Sequence, residues 1–227
     1  MTHLHEQLNQ LREDLSDMAF LVQSQLSKSV LSLLEKDEDL ANEVLHNEKR
    51  VNAFELKIDK DCENIFALLT PIAHDMRLVF ATLKINADLE RIGDYAEGIA
   101  RLVIMGKKQF DEELIEKIEL SEMYEISLVM LRDVIVAYSE NDSRLARTVF
   151  STDLQLNRIN HDAVSIVVNF CKAGNENIEQ ALHLLSIIHK LERVGDHVTN
   201  IAEEIIFFKE ARILKHGNKG GDHTSDK

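Results

Sequence analysis

No tryptophan, a single proline and only two cysteines occur in the 227 residues, and each scarcity removes a class of architecture. Cys62 and Cys171 lie inside apolar periodic segments, away from any CxxC or Cys/His cluster. A disulfide framework or zinc knuckle therefore lacks its ligands, and both read as buried thiols. Short alternating apolar runs of the kind that form strands are missing. No stretch reaches the roughly 18 to 20 uncharged apolar residues of a membrane span. The segment from Met1 to Asp17 carries acids throughout, where a signal peptide would be basic and then apolar, so the expected location is cytoplasmic. Positive charge is also short. With 26 Lys plus Arg against 40 acids the net charge is −14, which repels nucleic acid and anionic lipid and favours cations and basic protein surfaces. No nucleophile paired with a base and no Gly-rich phosphate loop is present, so the expectation is a protein that is not an enzyme.

The glycines report the architecture. Gly217, Gly220 and Gly221 fall in a polar tail, residues 215–227, expected to be disordered. Gly106 and Gly174 each follow a long apolar-periodic run, where a left-handed helix C-cap is expected. Gly93, Gly98 and Gly195 sit inside helical patterns and need another reason.

Apolar residues recur at three- and four-residue steps through Leu4, Leu8, Leu11, Leu15, Met18, Val22 and Leu26, which predicts a first helix from about Thr2 to Leu34. Leu40, Val44, Val51, Phe54, Ile58, Ile65 and Leu68 mark a second, capped by Asp37 or Asp39 and stopped by Pro71. A third runs from near His74 to Met105. After Gly106 the pattern repeats: Leu114, Ile118, Leu128, Leu131 and Ile135 mark helix four, Leu145 to Phe170 helix five, and Ile178 to Ile205 helix six. The expected fold is all-α, with six long helices in two tandem three-helix-bundle repeats, residues 1–106 and 107–214.

The halves share a motif. Residues 89–100 read LERIGDYAEGIA and residues 191–202 read LERVGDHVTNIA, identical at seven of twelve positions. Upstream, the surroundings of Glu48, Val51 and Asn52 match those of Asp153, Leu156 and Asn157, so a duplication is the simplest account. Glu90 and Asp94 are four residues apart, as are Glu192 and Asp196, so each pair projects two like charges from one helix face. Glu97 and Glu203 extend these rows. One reading is a solvated face paired locally with Arg91, Arg193 or Arg101. The other is a metal site, favoured by recurrence of the acids at matching positions and by Gly93 and Gly195, each costing roughly 1 kcal/mol in a helix interior. Clustered carboxylate oxygens suit iron, manganese, magnesium or calcium ahead of zinc. Further ligands would come from Glu48 and Asn52, from Asp153 and Asn157, from Asp75, and at the second site from His189.

LERIGD and LERVGD in duplicate third helices, with TPIAHDMR at residues 70–77, resemble the E/D-xxx-D motifs and the helix-three start of the PhoU family, over residues 1 to about 213. The resemblance implies two three-helix repeats, multinuclear metal sites and a homodimer. It also implies a negative regulator of phosphate uptake and phosphate-starvation signalling, an adaptor between a phosphate ABC transporter and a membrane sensor histidine kinase. Glu90, Asp94, Glu192 and Asp196 carry the motif over, with Asp75 and Arg77 as weaker members; Asn177 and Glu179 replace these two in the second copy. Within the family's reach an accessory to a secondary phosphate transporter has the same fold. A metal-free helical adaptor is a further alternative. A di-iron carboxylate bundle enzyme needs paired Glu-x-x-His motifs, and the sequence has one, Glu43 to His46.

Overall fold

The computed structural model describes residues 3–106, 110–174 and 177–211. Within them the chain forms α1 (His3–Leu34), α2 (Glu38–Leu68), α3 (Ala73–Met105), α4 (Glu112–Lys117), α5 (Leu120–Glu140), α6 (Ser143–Lys172) and α7 (Ile178–Glu210), with no strand among the described residues. The tail at 215–227 lies outside the described residues. No described helix is long and apolar enough to cross a membrane.

The stripe read on α1 is the one that is buried: Leu8, Leu11, Leu15, Met18, Val22 and Leu26 all face the core. Each such side chain contributes about 1.5–3 kcal/mol of transfer free energy. Asp37 caps α2 by accepting from the Asp39 and Leu40 amides at 2.9 and 3.2 Å, and Asp142 caps α6 by accepting from the Arg144 and Leu145 amides at the same distances. Each cap is worth about 1 kcal/mol.

Helices α1, α2 and α3 pack on one another, as do α5, α6 and α7, while α3 against α7 and α1 against α5 join the two sets. Between α3 and α7 the cross-contacts fix an antiparallel register. Lys84 grips the buried Glu204 at 2.9 and 3.0 Å, and Asp88 accepts from Asn200 at 3.2 Å and lies 2.7 Å from His197 Nδ1. The Lys190 ammonium lies 5.9 Å from the centre of the Tyr95 ring.

Three expectations need correction. The second half contains four helices, giving seven in all among the described residues, because the expected helix four breaks at Glu119, whose φ is 55°. Leu114 and Ile118 keep the apolar period across the break and are buried, so periodicity alone shows no interruption there. At the break Arg158 of α6 donates to both Glu119 oxygens at 3.2 and 2.7 Å. Gly106 caps α3 with φ −65°, not a left-handed angle; its missing Cβ instead leaves room for the Phe110 ring, which would stand 3.0 Å away. Gly174, at φ +81°, has the left-handed backbone expected. Cys62 is fully buried, its thiol pushed up to about 12 chiefly by burial, but Cys171 is only half-buried.

Two of the three helix-interior glycines, Gly93 and Gly195, are explained by neighbours. A Cβ on Gly93 would meet Val51 Cγ1 at 3.1 Å, and one on Gly195 would meet Leu156 Cδ1 at 2.5 Å and Asp153 Oδ1 at 3.0 Å. At Gly98 the nearest atom is the Lys190 ammonium at 3.0 Å, the free end of a flexible chain. Leu156 is fully buried and cannot yield. Gly195→Ala should therefore destabilise the protein by about 1–3 kcal/mol, whereas Gly98→Ala should stabilise it by up to about 1 kcal/mol through helix propensity. Thermal unfolding of both variants checks this, and equal shifts of the same sign would remove the steric account.

Candidate functional site

Glycine at 93 and 195 lets α2 approach α3, and α6 approach α7, closely enough to seat a carboxylate over each glycine. Glu48 Oε2 lies 3.6 Å from the position a Gly93 Cβ would take, and Asp153 Oδ1 takes the corresponding place at Gly195. Val51 and Leu156, one turn further along, supply the apolar contact. The upstream sequence match is thus a match in packing.

Glu48 is 7% exposed and neither carboxylate oxygen has a hydrogen-bond partner. Its pKa is pushed up to about 7, first by burial and then by the charges of Asp94, Glu97 and Glu90 on the facing helix. Glu90 is also raised, by burial and by Asp94, with Glu55 adding to the effect while Arg91 and His197 oppose it. In the second half Glu192 is raised by burial, by Asp196 and by Asp153, against Arg193. Here the buried carboxylate has company: the Asn157 amide donates to Asp153 Oδ2 at 3.0 Å.

Each acidic pair is spanned by the arginine between its members. Arg91 donates to Asp94 at 3.1 Å and stands 3.6 Å from Glu90; Arg193 donates to Asp196 at 3.0 Å and stands 3.6 Å from Glu192. Both guanidiniums are 60% exposed, so these pairs contribute only a few tenths of a kcal/mol and yield readily to a competing cation. The local ion pairs and the converging acids thus coexist.

The structure brings Glu48 together with Glu90 and Asp94, and Asp153 and Asn157 with Glu192 and Asp196. Asn52 is exposed and makes no hydrogen bond to Glu48. Asp75 does not join the first group: it occupies the first turn of α3, roughly 22 Å along the helix from Glu90, and faces His74 at 3.7 Å. Glu203 stands roughly 10 Å beyond Asp196 on α7. His189 faces Asn160, its Nδ1 at 2.5 Å from the amide oxygen. Glu43, from the lone Glu-x-x-His, is paired with Lys28 at 2.5 Å. Sequence reading passed over Glu55, which acts on Glu90, and His197, which reaches the first group from the other half. Glu55 lies seven residues after Glu48, two helical turns on the same face, so heptad spacing carried the signal.

The donor set fits a hard cation, being carboxylate oxygen throughout, with one buried carboxylate lacking any donor. Among the described residues no three His, Cys, Asp or Glu side chains already stand close enough to hold an ion. Binding therefore requires the arginine-paired carboxylates to turn inward toward Glu48 or Asp153.

The raised Glu48 carries a pH signature in metal-free protein. The folded state keeps its proton up to about pH 7 and the unfolded state loses it near 4.5, so between these values rising pH lowers stability. Glu48→Gln should be neutral below pH 4.5 and increasingly stabilising up to pH 7, then level at a gain on the order of a few kcal/mol. Unfolding measured across this range checks it; a gain that is flat with pH would show that Glu48 titrates normally.

The PhoU domain family matches residues 15–103 and 120–205. The phosphate-specific transport system accessory protein PhoU homolog 1 of Thermotoga maritima is 31% identical over 225 residues, covering 99% of this chain and 96% of that protein. The phosphate-specific transport system accessory protein PhoU of Escherichia coli is 30% identical over 216 residues, covering 95% and 88%. The crystal structure of PhoU from Pseudomonas aeruginosa superposes with a TM-score of 0.88 at 29% identity, over 92% of this chain and 100% of that one. The phosphate transport system regulatory protein PhoU from Streptococcus pneumoniae gives 0.84 at 27%, over 94% and 100%. With two matched segments spanning most of its length and relatives aligned nearly end to end, the chain belongs to the PhoU family.

Proposed function

We propose that this chain is a metal-binding cytoplasmic regulator of phosphate uptake and phosphate-starvation signalling. In this reading it is an adaptor that works as a homodimer of two-repeat chains, restraining a sensor histidine kinase while a phosphate ABC transporter is active. The observation that carries the metal-binding part is the buried Glu48 carboxylate, which lacks any hydrogen-bond donor and faces Glu90 and Asp94 across Gly93. A buried carboxylate in that state needs a proton or a cation. Membership of a family whose relatives are named as phosphate transport accessory and regulatory proteins supports the cellular part.

Residues Glu48, Glu90 and Asp94 hold the first cation, and Asp153, Glu192 and Asp196 the second; Asn157 orients Asp153. Iron, manganese or magnesium supplies the positive charge that lets each carboxylate row converge. The rows then become rigid, exposed features of α3 and α7 that a partner protein can read.

Two measurements test this. Adding metal should raise the unfolding temperature of the wild type by mass action, about 2.7 kcal/mol at a hundred times the dissociation constant. A variant combining Glu90→Gln, Asp94→Asn, Glu192→Gln and Asp196→Asn should fold as well without metal and gain nothing from it. Equal metal content and equal stabilisation in both proteins would overturn the metal assignment. Deleting the gene should derepress phosphate-starvation genes in phosphate-rich medium; unchanged expression would remove the signalling role and leave a transporter accessory.

A further inference from the structure

The two acidic rows occupy matching places in the duplicated motif, yet the residues around them differ in charge and in hydrogen bonding. Positions 48, 55, 90, 94 and 97 carry Glu, Glu, Glu, Asp and Glu; their counterparts 153, 160, 192, 196 and 199 carry Asp, Asn, Glu, Asp and Thr. Glu97 is paired with Arg101 at 2.6 Å, and the counterpart of Arg101 is Glu203, so the uncompensated difference in charge lies at Glu55 against Asn160. Glu55 sits close enough to act on Glu90, and its counterpart Asn160 is neutral and already engaged by His189 at 2.5 Å. Thr199 turns its hydroxyl back to the Asp196 carbonyl at 2.8 Å.

The buried carboxylates differ in the same sense. Glu48 is 7% exposed with no donor to either oxygen. Asp153, equally buried, accepts from Asn157 at 3.0 Å, whereas Asn52, exposed as Asn157 is, makes no such bond to Glu48. The second row is therefore partly accommodated by amide donors before any cation arrives. A site with fewer charges and a carboxylate already hydrogen-bonded gains less from a cation.

We propose that the two sites load unequally, and that the row of α2 and α3 around Glu48 is the tight, first-filled cation centre while the row of α6 and α7 is the weaker one. This rests on the metal-binding reading above and adds an order to it. The carboxylate of Glu55 in place of Asn160 and the hydrogen bonding of the buried member set that order, since the motif residues Glu90, Asp94, Glu192 and Asp196 are the same in both halves.

The test uses the full chain stripped of metal and titrated with Mn²⁺ at one fixed pH, with free Mn²⁺ read by electron paramagnetic resonance. Two classes of site are expected, differing by about tenfold or more in affinity. Glu48→Gln should abolish the tight class and spare the weak one, and Asp153→Asn should do the reverse. Should Glu48→Gln fail to fold by circular dichroism, Glu55→Gln, at a half-buried position, should weaken the tight class alone. Adding Asn160→Glu should strengthen the weak class toward the tight one. Two indistinguishable classes in the wild type, or loss of the tight class in Asp153→Asn, would overturn the order while leaving metal binding intact. No Mn²⁺ bound by the wild type at any concentration would remove the metal reading itself.

Discussion

The closeness of α2 to α3 and of α6 to α7 at their glycines is the constraint on which the rest depends. Without Cβ atoms at 93 and 195, Val51 and Leu156 press against the facing helix backbone, and the residues one turn earlier, Glu48 and Asp153, lie over it. The helices give up some intrinsic propensity for this approach and gain buried apolar contact in exchange. A carboxylate is brought out of water as a consequence, and its surroundings decide whether its charge is tolerated. Beside Asp153 an amide donor stands ready; beside Glu48 there is only more negative charge.

Much of this was legible in the sequence because it is written in periodicity and repetition. The buried stripe of α1, the Asp37 cap and the paired third helices arise from spacing, which local physics reads directly. The break at Glu119 was not legible, since no Gly or Pro marks it and its partner Arg158 lies 39 residues away. Gly106 misled for a related reason: a glycine after a helix suggests a left-handed cap, but the space was needed by a ring. At the candidate site, the chain showed which acids share a face. It offered the arginine pairs and the converging acids as rival readings, and did not show that both hold at once.

The register between α3 and α7 gives the two rows a common frame. His197 of one half sits near Glu90 of the other, so a change in charge at the first row is felt across the seam. Asp88 anchors that histidine and Asn200 together, and Lys84 clasps a buried glutamate further along. The rows are thereby mounted on two helices that are themselves held as a unit.

Those seam contacts bear on how freely the two halves can differ. Positions 88, 95 and 98 correspond in the repeat to 190, 197 and 200. Asp88 meets 197 and 200, and Lys190 meets 95 and 98, so the same contact occurs twice about a local pseudo-dyad. In a dimer of identical single repeats, any mutation there would appear on both sides at once, and a charge could never be set against a different partner. Within a single chain the two positions can differ: Asp88 faces the histidine and amide of one contact, and Lys190 faces the tyrosine and glycine of the other.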